Sequence, residues 1–435
     1  MVPSGNCSPP PGVATWRRPG ESEEHSMIRR LREFWHGAVN GVVSPPFVAL
    51  FGGLWLRLHG RGGSRTGPVD LRKVRSLAVV RYDGLGDLAV TTAFLRELRR
   101  SLPDVRITLV VREEWVDLMR ECPHVNDLLG FSLLNYPKYT PIYRLLAVAR
   151  FCRTELWSRG VEAVLVAQSH SAYYQPANFA FLSGAPIRIG RRAPEVRDAT
   201  TGKPVVDPGW RLLTRVDEDT ATGHEVEMLS SWLIRLGLSS QDQRLQLHWD
   251  AAASAEAARR LGPPVSGGLT VALGIGASHS FKVWPLDRFI EVTRRLRQLN
   301  ARVVLIGASD LQAAADQLAA TVGDGVLNLV GPMRLQETAA VLARCDLYIG
   351  NDSGPMHLAA AAGIPVVEVV GWPSDTPAEM AGSPLRIGPW CPHRRIVQPA
   401  GNGCDWTVRV DVIEVDAVWA AVLSLLEEIR VASRR

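Results

Sequence analysis

The 435-residue chain is 46% apolar and 21% charged, the balance of a soluble globular protein, and its length exceeds what one ordinary core accommodates, so two domains are expected. Its formal charge of +5 suits phosphorylated ligands or an anionic membrane surface, but it lacks the dense basic clusters of a nucleic-acid binder, and no nucleic-acid partner is expected. The six cysteines, Cys7, Cys122, Cys152, Cys345, Cys391 and Cys404, show no disulfide-framework spacing, which favours a reducing cytoplasm. Cys391, His393 and Cys404 raise metal binding, yet no fourth ligand accompanies them, so no metal is assigned.

Residues 1–27 are rich in Pro, Gly, Ser and charge and read as a disordered tail. Residues 28–66 form an apolar and basic segment. Within it, Gly37 to Leu56 is a run of twenty residues without formal charge, flanked by Arg29, Arg30 and Arg32 on one side and by Arg57, Arg61 and Arg65 on the other. Pro45, Pro46, Asn40 and four glycines dilute it as a spanning helix. An interfacial anchor on an anionic leaflet is the first reading; packing against the following domain is the second and a true span the third.

From residue 67 to 262, strands alternate with helices. Strands are expected at Ser76 to Tyr82, Arg106 to Val111, Asp127 to Phe131, Glu162 to Ala167 and Ile187 to Gly190, with helices at Asp87 to Arg100, Glu113 to Glu121, Ile142 to Arg159, Gln175 to Leu182 and His224 to Leu236. Such alternation implies a parallel sheet. A linker near Leu261-Gly262-Pro263-Pro264 leads to a second α/β domain, 263–435. Its strands are expected at Leu269 to Leu273, Arg302 to Ile306, Val326 to Val330, Asp346 to Ile349 and Pro365 to Val370. Its helices are expected at Leu286 to Gln298, Leu311 to Ala320, Leu335 to Arg344 and Pro355 to Ala362. The last helix, Ala417 to Val431, is a candidate to cross back to the first domain.

Two strand-to-helix loops carry the chemistry. In open α/β sheets, ligands bind where strand ends meet helix N-termini, because free amides and the helix dipole favour anions. In Gly350-Asn351-Asp352-Ser353-Gly354-Pro355-Met356-His357, Asp352 reads as the N-cap and Pro355 as a first-turn residue, leaving the amides of Ser353, Gly354 and Met356 for a phosphate. Asp352 would accept hydrogen bonds from sugar hydroxyls, or simply cap the helix. The segment from Gly274 to Pro285 reaches the same cleft edge and brings Ser278 and Lys282, the latter as a cation for phosphate or as a solvated lysine. In the first domain, Gly84 and Gly86 precede Asp87 at a helix start, where Asp87 is either a general base or a first-turn acid.

The first loop has a rival reading. Gly84-Leu85-Gly86-Asp87-Leu88-Ala89 matches the dinucleotide fingerprint, with Glu113 or Glu114 placed as a ribose-binding acid, so an NAD-dependent oxidoreductase is an alternative from another class. A catalytically silent binding module is a third.

Taken together, Arg81 to Leu95, Gly276-Ala277-Ser278, Lys282-x-Trp284-Pro285 and Asn351 to Ala361 resemble the lipopolysaccharide heptosyltransferase family, glycosyltransferase family 9. The resemblance runs from about Ser76 to Gly371. It implies a GT-B fold, with two facing Rossmann-like domains and a cleft between them. The implied activity is inverting transfer of heptose from ADP-heptose to a lipopolysaccharide core acceptor at the cytoplasmic face of the inner membrane, without a cofactor or metal. A family relative using another nucleotide sugar or acceptor remains open. By the resemblance, Asp87 is the catalytic base, Lys282 and Asp352 bind donor phosphate and sugar, and Ser353, Gly354 and His357 lie in the donor phosphate region. Three departures stand out: Ala93 where the family often has proline, Glu368 inside an apolar strand, and Trp372 where a Gly-Pro-Thr type sequence is usual.

Overall fold

The computed structural model describes residues 46, 48–61, 63, 64, 67–132, 141–168, 176–192, 208–218, 223–380, 382–401 and 408–432. The expected tail 1–27, most of the basic apolar segment before residue 48, and Cys404 lie outside the described residues.

The first half contains β1 (Ser76–Val80), β2 (Arg106–Arg112), β3 (Asp127–Phe131), β4 (Ala163–Val166), β5 (Ile187–Arg192) and β6 (Arg215–Glu218). Its helices are α1 (Gly53–Leu58), α2 (Leu85–Ser101), α3 (Val116–Met119), α4 (Pro141–Phe151), α5 (Pro176–Leu182) and α6 (Glu225–Arg235), followed by α7 (Ala251–Leu261). The second half contains β7 (Thr270–Gly274), β8 (Arg302–Ile306), β9 (Val326–Asn328), β10 (Leu347–Asn351), β11 (Val366–Val369) and β12 (Arg394–Val397). Between and after these lie α8 (Leu286–Gln298), α9 (Gln312–Val322), α10 (Leu335–Leu342), α11 (Gly354–Ala361), α12 (Pro384–Ile387) and α13 (Val415–Ala432).

Each half forms one six-stranded, all-parallel sheet, ordered β3-β2-β1-β4-β5-β6 and β12-β11-β10-β7-β8-β9. Numbered within its own half, each sheet has the doubly wound order 3-2-1-4-5-6, in which the strand order reverses between the first and fourth strands. The α/β expectation is met. Strands β1, β7 and β10 are buried along their whole length, as parallel strands covered on both faces must be.

Beyond the helix α1 in the N-terminal segment, four elements went unread in the sequence. Strands β6 (Arg-Val-Asp-Glu) and β12 (Arg-Arg-Ile-Val) are edge strands with polar side chains, so neither shows the apolar run that marks a central strand. Helix α7 buries only Ala253, Ala257 and Leu261, a stripe too small in volume to stand out, and packs on α10. The single turn of α12 is too short for any period to show.

One further expectation is corrected, and another is decided among its stated readings. Helix α13 does not cross back: it lies against β12, β11 and α8, and Val418, Val422 and Leu425 are fully buried in the core of the second sheet. The stretch after Val48 packs on the first half instead of spanning. Val48 and Leu56 are buried, Val48 shares a core with Ala78, Val80 and Phe179, and the Trp55 ring lies 4.6 Å from that of Trp157. Among the described residues no helix is long and apolar enough to cross a membrane.

Because Leu425 is a core residue of the second half, Leu425→Ala should destabilise the protein by about 2–5 kcal/mol through the cavity it leaves. Denaturant unfolding followed by the fluorescence of the buried Trp284, in the same core, would measure it. A change below about 0.5 kcal/mol would mean that the helix contributes no core.

Candidate functional site

The two loops singled out in the sequence meet. Helices α2 and α11, which follow β1 and β10, pack against each other, and one continuous core runs from Leu77, Leu88 and Phe94 in the first half to Ala272, Met356 and Leu358 in the second. The approach is closest at Gly86. A Cβ placed there would lie 2.2 Å from the Cδ2 of His357, so only glycine admits the imidazole.

On the second half, strands β7 and β10 pair directly, and the loops leaving their carboxyl ends lie side by side at the reversal of strand order. Asn351, fully buried, ties them together by accepting from the Trp284 amide at 2.9 Å. Lys282 is thereby brought to Asp352, and its Nζ donates to Asp352 Oδ2 at 2.6 Å. Burial alone would lower the lysine's pKa. Asp352, with a smaller pull from Asp87, outweighs this and holds it above the ordinary lysine value. The pair is therefore ionic, not a solvated lysine beside a separate cap.

The geometry at the start of α11 revises the sequence reading. Ser353, not Asp352, is the N-cap, in extended conformation and without a side-chain cap bond. The Met356 amide donates to the Ser353 carbonyl at 3.1 Å and the Met356 side chain is fully buried in the core, so Met356 is not available to a ligand. Gly354 lies against Leu85 across the joint. Ser278 is exposed in the loop after β7.

Around the Lys282–Asp352 pair, buried polar atoms lack hydrogen-bond partners among the described residues: Ser353 Oγ, His357 Nδ1 and Glu368 Oε2. The Tyr348 hydroxyl faces Ser353 without reaching hydrogen-bond geometry. Burial holds the His357 imidazole below its usual pKa, despite the opposing pull of Asp352 and Asp87, so the ring is neutral near pH 7. Glu368 is 1% exposed. Burial, reinforced by the charge of Asp352 and only partly offset by Lys282, pushes its carboxyl well above the ordinary range, toward the neutral acid.

Across the joint, Asp87 is held at both oxygens. Oδ2 accepts the Gly84 amide at 3.0 Å, and Oδ1 accepts from Arg81 Nη2 at 3.2 Å. Arg81 is itself buried, donating to Glu225 Oε1 at 3.1 Å and to the Ala167 carbonyl at 2.8 Å, and it forms an ion pair with Asp83 at 2.9 Å. Arg191 grips Glu225 with two bonds of 2.8 and 3.0 Å, and Arg386, from the second half, lies 3.5 Å from the same carboxylate. Arg81, Glu225, Arg191, Arg386 and Tyr348 were given no role from the sequence. Arg81 alone left a trace, as a charged residue closing an apolar strand.

The dinucleotide reading fares poorly in this geometry. His357 fills the space over Gly86 that a pyrophosphate would need, and Glu114 is paired with Arg112 at 2.9 Å. Of the cysteine and histidine set near the C-terminus, His393 pairs with Glu428 at 2.7 Å and Cys391 is buried against the His393 carbonyl.

Glu368 gives a pH signature. A carboxyl whose folded-state pKa is raised costs no stability below its ordinary value near 4.5, and stability is lost as pH rises from there toward the folded value. Glu368→Gln, which keeps the shape but cannot ionise, should match the wild type in melting temperature near pH 4.5 and exceed it increasingly up to pH 8. A constant difference across that range would show that Glu368 does not titrate in the fold.

Residues 220–401 match the family model for glycosyltransferase family 9 (heptosyltransferase). Over 296 residues, 66% of this chain and 80% of the relative, the sequence is 24% identical to lipopolysaccharide heptosyltransferase 3 of Escherichia coli. The fold superposes on the glycosyl transferase family 9 protein of Veillonella parvula with a TM-score of 0.68 and 21% identity, covering 84% of this chain and all of that one. It also superposes on the E. coli heptosyltransferase WaaC, solved with ADP, at a TM-score of 0.60 and 20% identity, covering 80% and 99% of the two chains. The same enzyme with ADP-2-deoxy-2-fluoro heptose gives 0.57 and 19%. The two facing doubly wound sheets are thus a GT-B fold, and residues 220–401 carry the match to glycosyltransferase family 9, the heptosyltransferases.

Proposed function

We propose that the chain transfers heptose from ADP-heptose, with inversion, to a lipopolysaccharide core acceptor at the cytoplasmic face of the inner membrane. The observation that carries this reading is the set of buried polar atoms left without hydrogen-bond partners among the described residues, at Ser353, His357 and Glu368 around the Lys282–Asp352 pair. Leaving buried polar groups unpaired costs free energy, and a polar ligand at the end of β10 would supply what they lack. The ADP and ADP-heptose analogue complexes of WaaC support the same class of donor.

In this reading an acceptor hydroxyl attacks the anomeric carbon as the bond to the diphosphate breaks on the opposite face. Asp87, oriented by Arg81 and the Gly84 amide, takes the hydroxyl proton. Charge building on the departing ADP is met by Lys282 and by the start of α11, where the amides remaining for an anion are those of Ser353 and Gly354. Asp352, released from Lys282 by the diphosphate, accepts from sugar hydroxyls. His357, neutral, offers a hydrogen bond without adding charge. Gly84 and Gly86 let the acceptor side of the loop come close, and Ser278 closes the donor side from the loop after β7.

Three measurements test this. Asp87→Asn should lower turnover by about 10²–10⁴ in protein that still folds; a change within about threefold would move the proton transfer elsewhere. Lys282→Gln retains a donor for Asp352 but loses the charge, and should weaken ADP binding by about tenfold to a hundredfold in calorimetric titration. Titration with ADP-heptose and NAD decides between ligands: micromolar NAD binding with no response to ADP-heptose would overturn the reading.

A further inference from the structure

Apart from the transfer site, the first half carries an open groove of about 750 Å³ between α4 with its continuing turn and the residues around α1. Phe51, Trp55, Leu145 and Leu146 line it, and Arg150 and Arg153 stand at its rim. The surface beside it is strongly apolar: Leu50, Phe51, Leu54, Leu58 and Leu146 are each more than half exposed. Large contiguous apolar surface of this kind marks an interaction site. The volume lies within the range of roughly 300–1,000 Å³ typical of ligand pockets.

Charge selects the occupant. Arg57, Arg150 and Arg153 are exposed and make no ion pair among the described residues. The chain's own neighbouring segments cannot neutralise them: residues 28–47 bring Arg29, Arg30 and Arg32 against the single acid Glu33, and residues 133–140 bring Lys138 and no acid. A second copy would present the same arginines. An amphiphile with an anionic head and an apolar tail satisfies both halves of the surface, as at an anionic leaflet.

We infer that this groove takes an acyl chain of an anionic bilayer lipid, with Arg57, Arg150 and Arg153 on its phosphate, and so docks the first half on the membrane. The inference rests on the membrane part of the proposed function but not on the donor. None of these residues belongs to the transfer site.

The test uses the full chain and vesicles of phosphatidylglycerol and phosphatidylcholine, with phosphatidylcholine alone as the control, and acyl chains brominated for fluorescence quenching. Wild type should bind the anionic vesicles, and part of the quenching should vanish in Trp55→Phe. Leu146→Glu combined with Phe51→Glu, and separately Arg150→Glu combined with Arg153→Glu, should each lower partitioning by about tenfold or more. ADP binding and transfer to an acyl-free acceptor should not change, so a failed transfer reading would leave the vesicle result standing. Equal partitioning of both variants and wild type would overturn the inference, as would quenching insensitive to Trp55→Phe. Sedimentation showing a dimer that the same substitutions abolish, without vesicle binding, would assign the groove to a second copy and overturn it too.

Discussion

Everything at the site depends on how closely α2 and α11 approach. Two Rossmann-like halves bring separate loops to their facing edges, but facing loops do not make one site unless the helices behind them pack. Here the imidazole of His357 occupies the room that a side chain at residue 86 would take, and Leu85 rests against Gly354. Apolar continuity from Phe94 to Met356 fixes that approach from below. Asp87 and the Lys282–Asp352 pair consequently feel one another's charge although they come from loops about 200 to 270 residues apart in the chain.

The charges on the two sides are handled differently. Asp87 is braced by a fully buried arginine that also donates to Glu225 and to the Ala167 carbonyl, and Glu225 is shared by three arginines, one of them from the second half. A carboxylate so held has its orientation set before substrate arrives, which is the condition for preorganised catalysis. Among the described residues Lys282 and Asp352, in contrast, satisfy only each other, amid buried atoms without a hydrogen-bond partner. Asp87 is thus oriented in the free protein, whereas the Lys282–Asp352 pair stands beside polar atoms that a ligand could match.

Much of this was legible in the sequence because it lay in backbone patterns. Long apolar runs such as Leu77 to Val80 and the Gly-Asp and Asn-Asp-Ser-Gly loops announced strands, switch points and the residues that flank them. What escaped was of two kinds. Edge strands such as β6 and β12 carry the polar side chains that solvent permits, so their composition hides them. Arg81, Glu225 and Arg386 are distant in sequence, and nothing local in any of them predicts that three segments meet on one carboxylate. The N-cap was misassigned for a related reason: Asp352 is a good capping residue, but an ion pair with Lys282, 70 residues away, is worth more to a buried carboxylate than a local cap bond.

Glu368 shows how far such coupling extends. It sits on β11 opposite Gly350, beneath the loop that carries Asp352, and a second ionised carboxylate there would leave Lys282 with two buried anions to balance. Kept neutral, the acid leaves the lysine's charge to Asp352 alone in the free protein. Under the proposed function a diphosphate then competes with one carboxylate for Lys282, not with two. An ionised Glu368 would compete for the same cation and add repulsion toward the phosphates at short range, in a site where water cannot screen it. The departure from an apolar strand is therefore compatible with anion binding only while the carboxyl holds its proton, and burial on the sheet face shared with Val366 and Tyr348 supplies the low polarity that keeps it there.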